Sequence, residues 1–270
     1  MSAAKKKSAT KRARPTRTLG GRSRPVPPKG AAPSGPAGVR AVLASLEGMS
    51  ARKDRDNLAR FGITAAMAYG VSMANIQTLA KRLGRDHALA GALWKSGWYE
   101  ARMLAAFVDE PEKVTATQME RWCRDFDNWG ICDTVCFQLF DRTPHAWDKV
   151  DRWCDRDEEF VKRAGFVLLA CLALHDKRAD DKAFVRALHA LERGARDERN
   201  FVKKGVSWAL RLIGRRNPAL NVAALQVARR LADSPDAAAR WVGRGAFKEL
   251  TGPVVKRQLA ARRNVVTSGA

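Results

Sequence analysis

The sequence predicts an all-α fold, a solenoid of stacked helix pairs. Three observations predict it. From Val39 to about Leu259, apolar residues recur at spacings of three and four, with no alternating strand pattern. Turn signals interrupt that pattern at short, regular intervals. Short motifs also recur along the chain at steps of about 30 and 40 residues.

The breakers define the elements in order. Turns are expected at Phe61-Gly62, Leu83-Gly84-Arg85-Asp86, Asp109-Glu110-Pro111 and Arg142-Thr143-Pro144. Four more follow at His175-Asp176-Lys177, Ala195-Arg196-Asp197, Arg215-Arg216-Asn217-Pro218 and Asp233-Ser234-Pro235. Several place a capping side chain at the next helix start, as Thr115 does before Gln118 and Thr143 before Pro144. The helices between them are about 10 to 18 residues long, joined by short connections.

The repeats fix the architecture. Phe160-Val161-Lys162-Arg163-Ala164-Gly165 is echoed by Phe201-Val202-Lys203-Lys204-Gly205-Val206, and again by Trp241-Val242-Gly243-Arg244-Gly245-Ala246. Tyr99 to Leu104 and Gly130 to Val135 fit the same frame upstream. Helix pairs with a period near 40 are the mark of HEAT-like repeats, and the steps near 30 are trimmed units. Stacking such pairs gives a solenoid with a concave face. The fourth position of the frame holds Arg102, Asp133, Arg163, Lys204 and Arg244, one column along the inner helices. Four bases on a concave wall suit a DNA backbone, so this face is expected to bind DNA.

Charge supports a polyanionic partner. The 270 residues hold 50 Lys and Arg against 28 Asp and Glu, a formal charge of +22. Ten of those bases and no acid lie in residues 1–39, so the remaining 231 residues hold 40 bases against 28 acids. The body is itself basic, which points to nucleic acid or an anionic surface. Residues 1–39 also contain six of the 11 prolines and five of the 20 glycines, and read as a disordered basic arm. A helical-repeat domain over 40–255 and a flexible basic C-terminal tail over 256–270 complete the organisation. The longest apolar stretch, Ala164 to Leu174, is too short for a bilayer. No apolar segment follows the basic N-terminus as a secretory signal would require. Five cysteines, an odd number, read as reduced intracellular thiols, and the protein is expected in the cytoplasm, nucleoid-associated if bacterial.

Asp133 is the exception in the basic column. Trp129 lies one turn earlier on the same helical face, and Trp208 lies one turn after Lys204. A carboxylate between two indoles suits a cation, since aromatic faces attract positive charge by about 1–2 kcal/mol each when desolvated. A cation carried on a polyanion describes a nucleobase alkylated at N3 or N7. Loss of that base develops oxocarbenium character on the sugar, which a carboxylate stabilises while it positions water.

Residues 60–250 resemble the DNA alkylation-repair glycosylases of the AlkD type, which are HEAT-like-repeat proteins. The resemblance rests on Tyr69-Gly70-Val71-Ser72 and on Asp127-Asn128-Trp129-Gly130-Ile131-Cys132-Asp133. It rests also on Phe160-Val161-Lys162-Arg163-Ala164 and on Asn200-Phe201-Val202-Lys203-Lys204 running to Trp208-Ala209-Leu210-Arg211. It implies that Asp133 is the catalytic aspartate, that Trp129 and Trp208 are the site indoles, that Arg163 is the active-site arginine and that Arg211 faces phosphate. It further implies a monomeric, monofunctional enzyme that excises cationic N3- and N7-alkylpurines from duplex DNA without metal or cofactor. Such enzymes leave the damaged nucleotide in or near the stack rather than flipping it into a pocket. Arg102, Lys162, Lys203, Lys204 and Arg244 are the remaining expected DNA contacts.

Other constellations carry less. Trp94, Trp98, Trp122, Trp147, Trp153 and Trp241 are assigned to core or helix contacts. No CxxC pair supports a zinc site at Cys123 or His145, and no glycine-rich phosphate loop supports Mg²⁺ at Asp125, Asp127 and Asp133. Two rival readings use the same fold. A non-catalytic DNA-binding solenoid has no need of Asp133, and a protein-interaction scaffold predicts no steep salt dependence on DNA.

Overall fold

In the computed structural model of the protein the described residues are 36–267, so the expected disorder of the arm over residues 1–35 lies outside them. Among the described residues the chain forms fourteen α-helices and two 3₁₀ turns, with no strand. The helices are α1 (Pro36–Gly48), α2 (Arg52–Arg60), α3 (Met73–Leu83), α4 (His87–Lys95), α5 (Tyr99–Val108), α6 (Ala116–Arg124) and α7 (Trp129–Gln138). They continue with α8 (Ala146–Trp153), α9 (Glu159–His175), α10 (Asp181–Gly194), α11 (Asn200–Gly214), α12 (Pro218–Ala232), α13 (Ala237–Leu250) and α14 (Pro253–Thr267). The 3₁₀ turns are Pro111–Lys113 and Phe140–Arg142.

All eight expected turns fall between helices. Their chemistry is mostly capping. Asp86, Thr115, Asn128, Asn217 and Asp236 each accept the amide three residues on, satisfying a donor the helix leaves free. Thr143 does not cap as expected. Its hydroxyl donates back to the Phe140 carbonyl, and α8 starts two residues beyond Pro144. Helices as short as eight residues also fall below the expected range. Two boundaries move. Helix α1 begins inside the segment assigned to the arm, and α14 runs on to Thr267 where a flexible tail was expected.

The helices form two layers. Helices α5, α7, α9, α11 and α13 pack side by side in chain order. Helices α4, α8, α10 and α12 pack each on the helix that follows it. This is a HEAT-like solenoid, and its core runs through the first layer. Every residue from Ala164 to Ala173 on α9 is buried, which accounts for the longest apolar stretch in the sequence. No helix among the described residues is long and apolar enough to cross a membrane.

An aromatic ladder joins the second layer. Trp94 of α4 stacks on Trp122 of α6 with ring centroids 4.0 Å apart. Phe140 leans on both Trp122 and Trp153, and Trp147 of α8 meets Phe184 of α10 edge-on at 5.1 Å. Indole N–H groups inside this ladder find carboxylates: Trp94 donates to Asp125, Trp147 to Asp176 and Trp153 to Glu120. Trp94, Trp122 and Trp153 are buried, and Trp98 stacks on Tyr69 at 3.9 Å. Trp241 departs from the core assignment, with 49% of its surface exposed.

Candidate active site and cationic grooves

The N-terminus of α7 is built by its neighbours. Asn128 caps it by accepting the Ile131 amide. Glycine at residue 130 admits close neighbours, because a Cβ there would lie 2.7 Å from the Tyr99 hydroxyl and 3.0 Å from Ile63. That closeness brings the α2–α3 connection against α7, and the Trp129 indole donates to the Phe61 carbonyl across it at 3.0 Å.

The same connection is tied down by Glu100, which sequence reasoning did not single out. Its buried carboxylate accepts the amides of Tyr69, Gly70 and Val71 at 2.9, 2.7 and 3.2 Å. Gly70 takes φ +82°, and a Cβ there would lie 2.7 Å from the Ala51 carbonyl. The Tyr69-Gly70-Val71-Ser72 motif is thus a loop shaped to wrap a carboxylate. A buried-face acid at the second residue of an inner helix that is apolar apart from Arg102 was the available signal.

Asp133 and Arg163 come together, as their place on adjacent inner helices allows. The guanidinium grips both carboxylate oxygens, Nε to Oδ1 at 2.9 Å and Nη2 to Oδ2 at 2.7 Å. Its Nη1 donates to the Phe201 carbonyl in the first turn of α11. Arg163 is buried and spans three helices, so all its nitrogens are spent inside the protein. It holds Asp133 and is not placed to touch a DNA backbone. The Asp133 side chain keeps 20% of its surface open. Each of its oxygens retains a lone pair beyond the fork. Burial pushes the Asp133 carboxyl up from its ordinary range, and the charge and hydrogen bonds of Arg163 oppose that rise.

The expected cations divide. Lys204 and Arg244 are exposed. Lys162 is paired with Asp197 at 3.1 Å, and Arg199 holds the same carboxylate. Hydrogen bonds from Arg199, joined by Lys162, bring the Asp197 carboxyl down to about 2 against the cost of its burial. Arg211 is paired with Glu249 at 2.6 Å. Lys203 sits 5.3 Å from the Trp241 ring centroid. Arg102 is turned away from the column. Its guanidinium lies over Trp94 at 5.2 Å, and its Nε is buried without a partner among the described residues.

The last step of the expected register is also corrected. Val202, Gly205, Val206, Ala209 and Ile213 are the buried positions of α11 that set its phase. Their counterparts on α13 are Ala239, Val242, Gly243, Ala246 and Leu250, an offset of 37 residues rather than 40. Arg244 therefore does not continue the column. Trp241 occupies the position that Lys204 holds on α11.

Trp208 lines a groove of about 670 Å³ that runs from α11 over α13 to α14, together with Leu212, Arg215, Lys248 and Val254. Asp133 is not among the residues lining it. Among the described residues, no group of three or more His, Cys, Asp or Glu is placed to hold a metal ion.

A two-layer HEAT-like solenoid with a carboxylate fixed in its inner layer and cations beside it defines the class of protein. The model of the family described as DNA alkylation repair enzyme matches residues 42–250, so the chain belongs to that family and is a DNA-repair protein. No curated protein sequence matches it. One solved structure is described as a new family of proteins related to the HEAT-like repeat DNA glycosylases with affinity for branched DNA structures. It aligns with a TM-score of 0.62 at 18% identity, covering 71% of this chain and 82% of that one. A designed armadillo repeat protein covers 80% of this chain and 95% of its own at 13% identity, with a TM-score of 0.36. Another, in complex with a (KR)4 peptide, covers 83% and 88% at 14% identity, with a TM-score of 0.33. At 18% identity and a TM-score of 0.62 the first likeness is one of fold.

Proposed function

We propose that the protein is a monofunctional DNA glycosylase acting on cationic N3- and N7-alkylated purines in duplex DNA. The observation that carries this reading is Asp133, a part-open carboxylate locked in orientation by a buried arginine, one helical turn after Trp129. The glycosidic C1′–N bond breaks with its electron pair going to the base, which discharges the positive charge of the lesion. Asp133 stabilises the oxocarbenium ion left on the sugar and accepts a hydrogen bond from the attacking water. The water adds to C1′, and its proton passes through the carboxylate to solvent. The products are the free base and an abasic site.

Trp129 spends its N–H on Phe61, so its contribution is a ring face against the deoxyribose and the cationic base. Lys204 and Arg244, both exposed, take phosphates. Trp208 and Lys203 belong to the same binding wall further along. Arg163 acts as a positioning residue, fixing the carboxylate before the substrate arrives. The working form is a monomer, and the chemistry uses no cofactor.

A second reading, DNA binding without base excision, is favoured by one feature. Both Asp133 oxygens are already gripped by Arg163. Duplex DNA carrying 7-methylguanine separates the two. Release of free base by the wild type, reduced at least a hundredfold in Asp133→Asn, is the expected result, in line with the roughly 10²–10³-fold cost of losing one transition-state stabiliser. Tight binding with no release by the wild type would establish the second reading.

A further inference from the structure

Trp241 is the most exposed tryptophan among the described residues, and it stands where the register of α11 places Lys204. The cationic wall therefore carries an indole at this step. The indole lines a groove of about 590 Å³ between α11 and α13, with Ser207, Arg211, Arg240, Arg244 and Lys248. No carboxylate lines that groove. One of its four cations is neutralised, Arg211 by Glu249, and Arg240 is tethered through Nη1 to the carbonyls of Ser234 and Pro235 while keeping its charge. Arg244 and Lys248 remain exposed beside the ring.

Lys203 lies 5.3 Å from the ring centroid, and the half-exposed indole with two uncommitted cations beside it fits a ligand with a flat face and a flanking anion. Away from its ends, DNA offers both only where a base has left the stack. In a continuous duplex the base faces are covered by their neighbours, and the protein meets phosphates alone. An unpaired nucleotide presents its π-face to the indole and its phosphates to the cations.

We propose that the groove between α11 and α13 is a single-strand subsite, in which Trp241 stacks on an unpaired DNA base while Arg244 and Lys248 hold the flanking phosphates. The protein then prefers a duplex bearing an unpaired flank over a continuous duplex. This rests on the DNA-binding part of the proposed function and is independent of base excision.

The test is equilibrium binding by fluorescence anisotropy at one fixed salt concentration. The probes are a blunt duplex and the same duplex carrying a short unpaired thymidine flank at either end. Wild type is expected to bind the flanked probe roughly five- to a hundredfold more tightly, as one stacked base supports. Trp241→Ala abolishes that preference while leaving blunt-duplex affinity within about twofold, and Trp241→Phe keeps part of it. Because the ring is exposed, neither substitution empties the core, and a matching thermal melt checks this. Equal affinity of the wild type for both probes overturns the proposal, as does an equal loss on both probes in Trp241→Ala. Release of 7-methylguanine from the blunt duplex, measured in parallel, keeps the two readings apart. If the wild type releases no base but Trp241→Ala still erases the flank preference, the glycosylase reading fails and the subsite stands.

Discussion

Asp133 sits between two opposing influences. Burial favours its protonated form, and the Arg163 fork favours the carboxylate. Burial is the larger, so the folded protein binds this proton more tightly than an unfolded chain does. Stability from this group is therefore greatest at low pH and falls as pH rises from the ordinary Asp value through the raised one. Catalysis runs the other way, because it needs the carboxylate. The acid limb of 7-methylguanine release is expected above the ordinary Asp range, and thermal melts across the same pH span should lose their matching slope in Asp133→Asn. Asp197 has the opposite sign. Its carboxyl is held at about 2, so its contribution is present above the ordinary Asp value and fades as pH falls toward 2. The pairing of Asp133 with a basic column was legible from residue spacing. That Arg163 would be consumed by the pairing was not, because a short repeat frame says nothing of depth below the surface.

Helices α5 and α7 show what an element must supply. The first turn of α5 offers Glu100 to three amides of the α2–α3 connection, and the first turn of α7 offers Gly130 to Tyr99 and Ile63. Together they fix the Phe61 carbonyl that receives Trp129. Removing the carboxylate leaves three buried N–H groups unpaired, at about 1–3 kcal/mol each. Glu100→Ala should lose about 3 kcal/mol or more in urea unfolding. The turns themselves were legible because Gly, Pro, Asp and Asn act locally. Thr143 misled because the same Thr-Pro signal serves a cap or a 3₁₀ turn, and the packing of Phe140 beneath it selected the turn. The frame at α13 misled for a related reason. A resemblance between Phe201-Val202 and Trp241-Val242 is weaker than the burial phase of a whole helix, which places Trp241 three residues later in the register, at the position of Lys204.

At the scale of the whole molecule, charge is abundant but unevenly available. The +22 excess of the sequence attracts DNA at long range, while only unpaired cations release counterions from its surface. Each phosphate contact contributes about 0.9 to the slope of log K against log salt. Lys204→Ala should therefore lower that slope by about 1 in a titration with continuous duplex. Lys162→Ala should leave it unchanged, because Lys162 is committed to Asp197. Equal slopes for both variants would place the binding wall elsewhere. The sequence by itself determined the helical period, the turns between helices, the pairing of helices into repeats and the excess of positive charge, because each follows from local spacing or composition. The tertiary structure decided which cations stay free and which aromatic ring stays open. The partners of Lys162, Arg163 and Arg211 lie 30 to 38 residues away, on other helices or the connection between them. Who meets whom at that distance depends on how far each helix is rotated and shifted against the next, and the packing of the whole stack sets that offset.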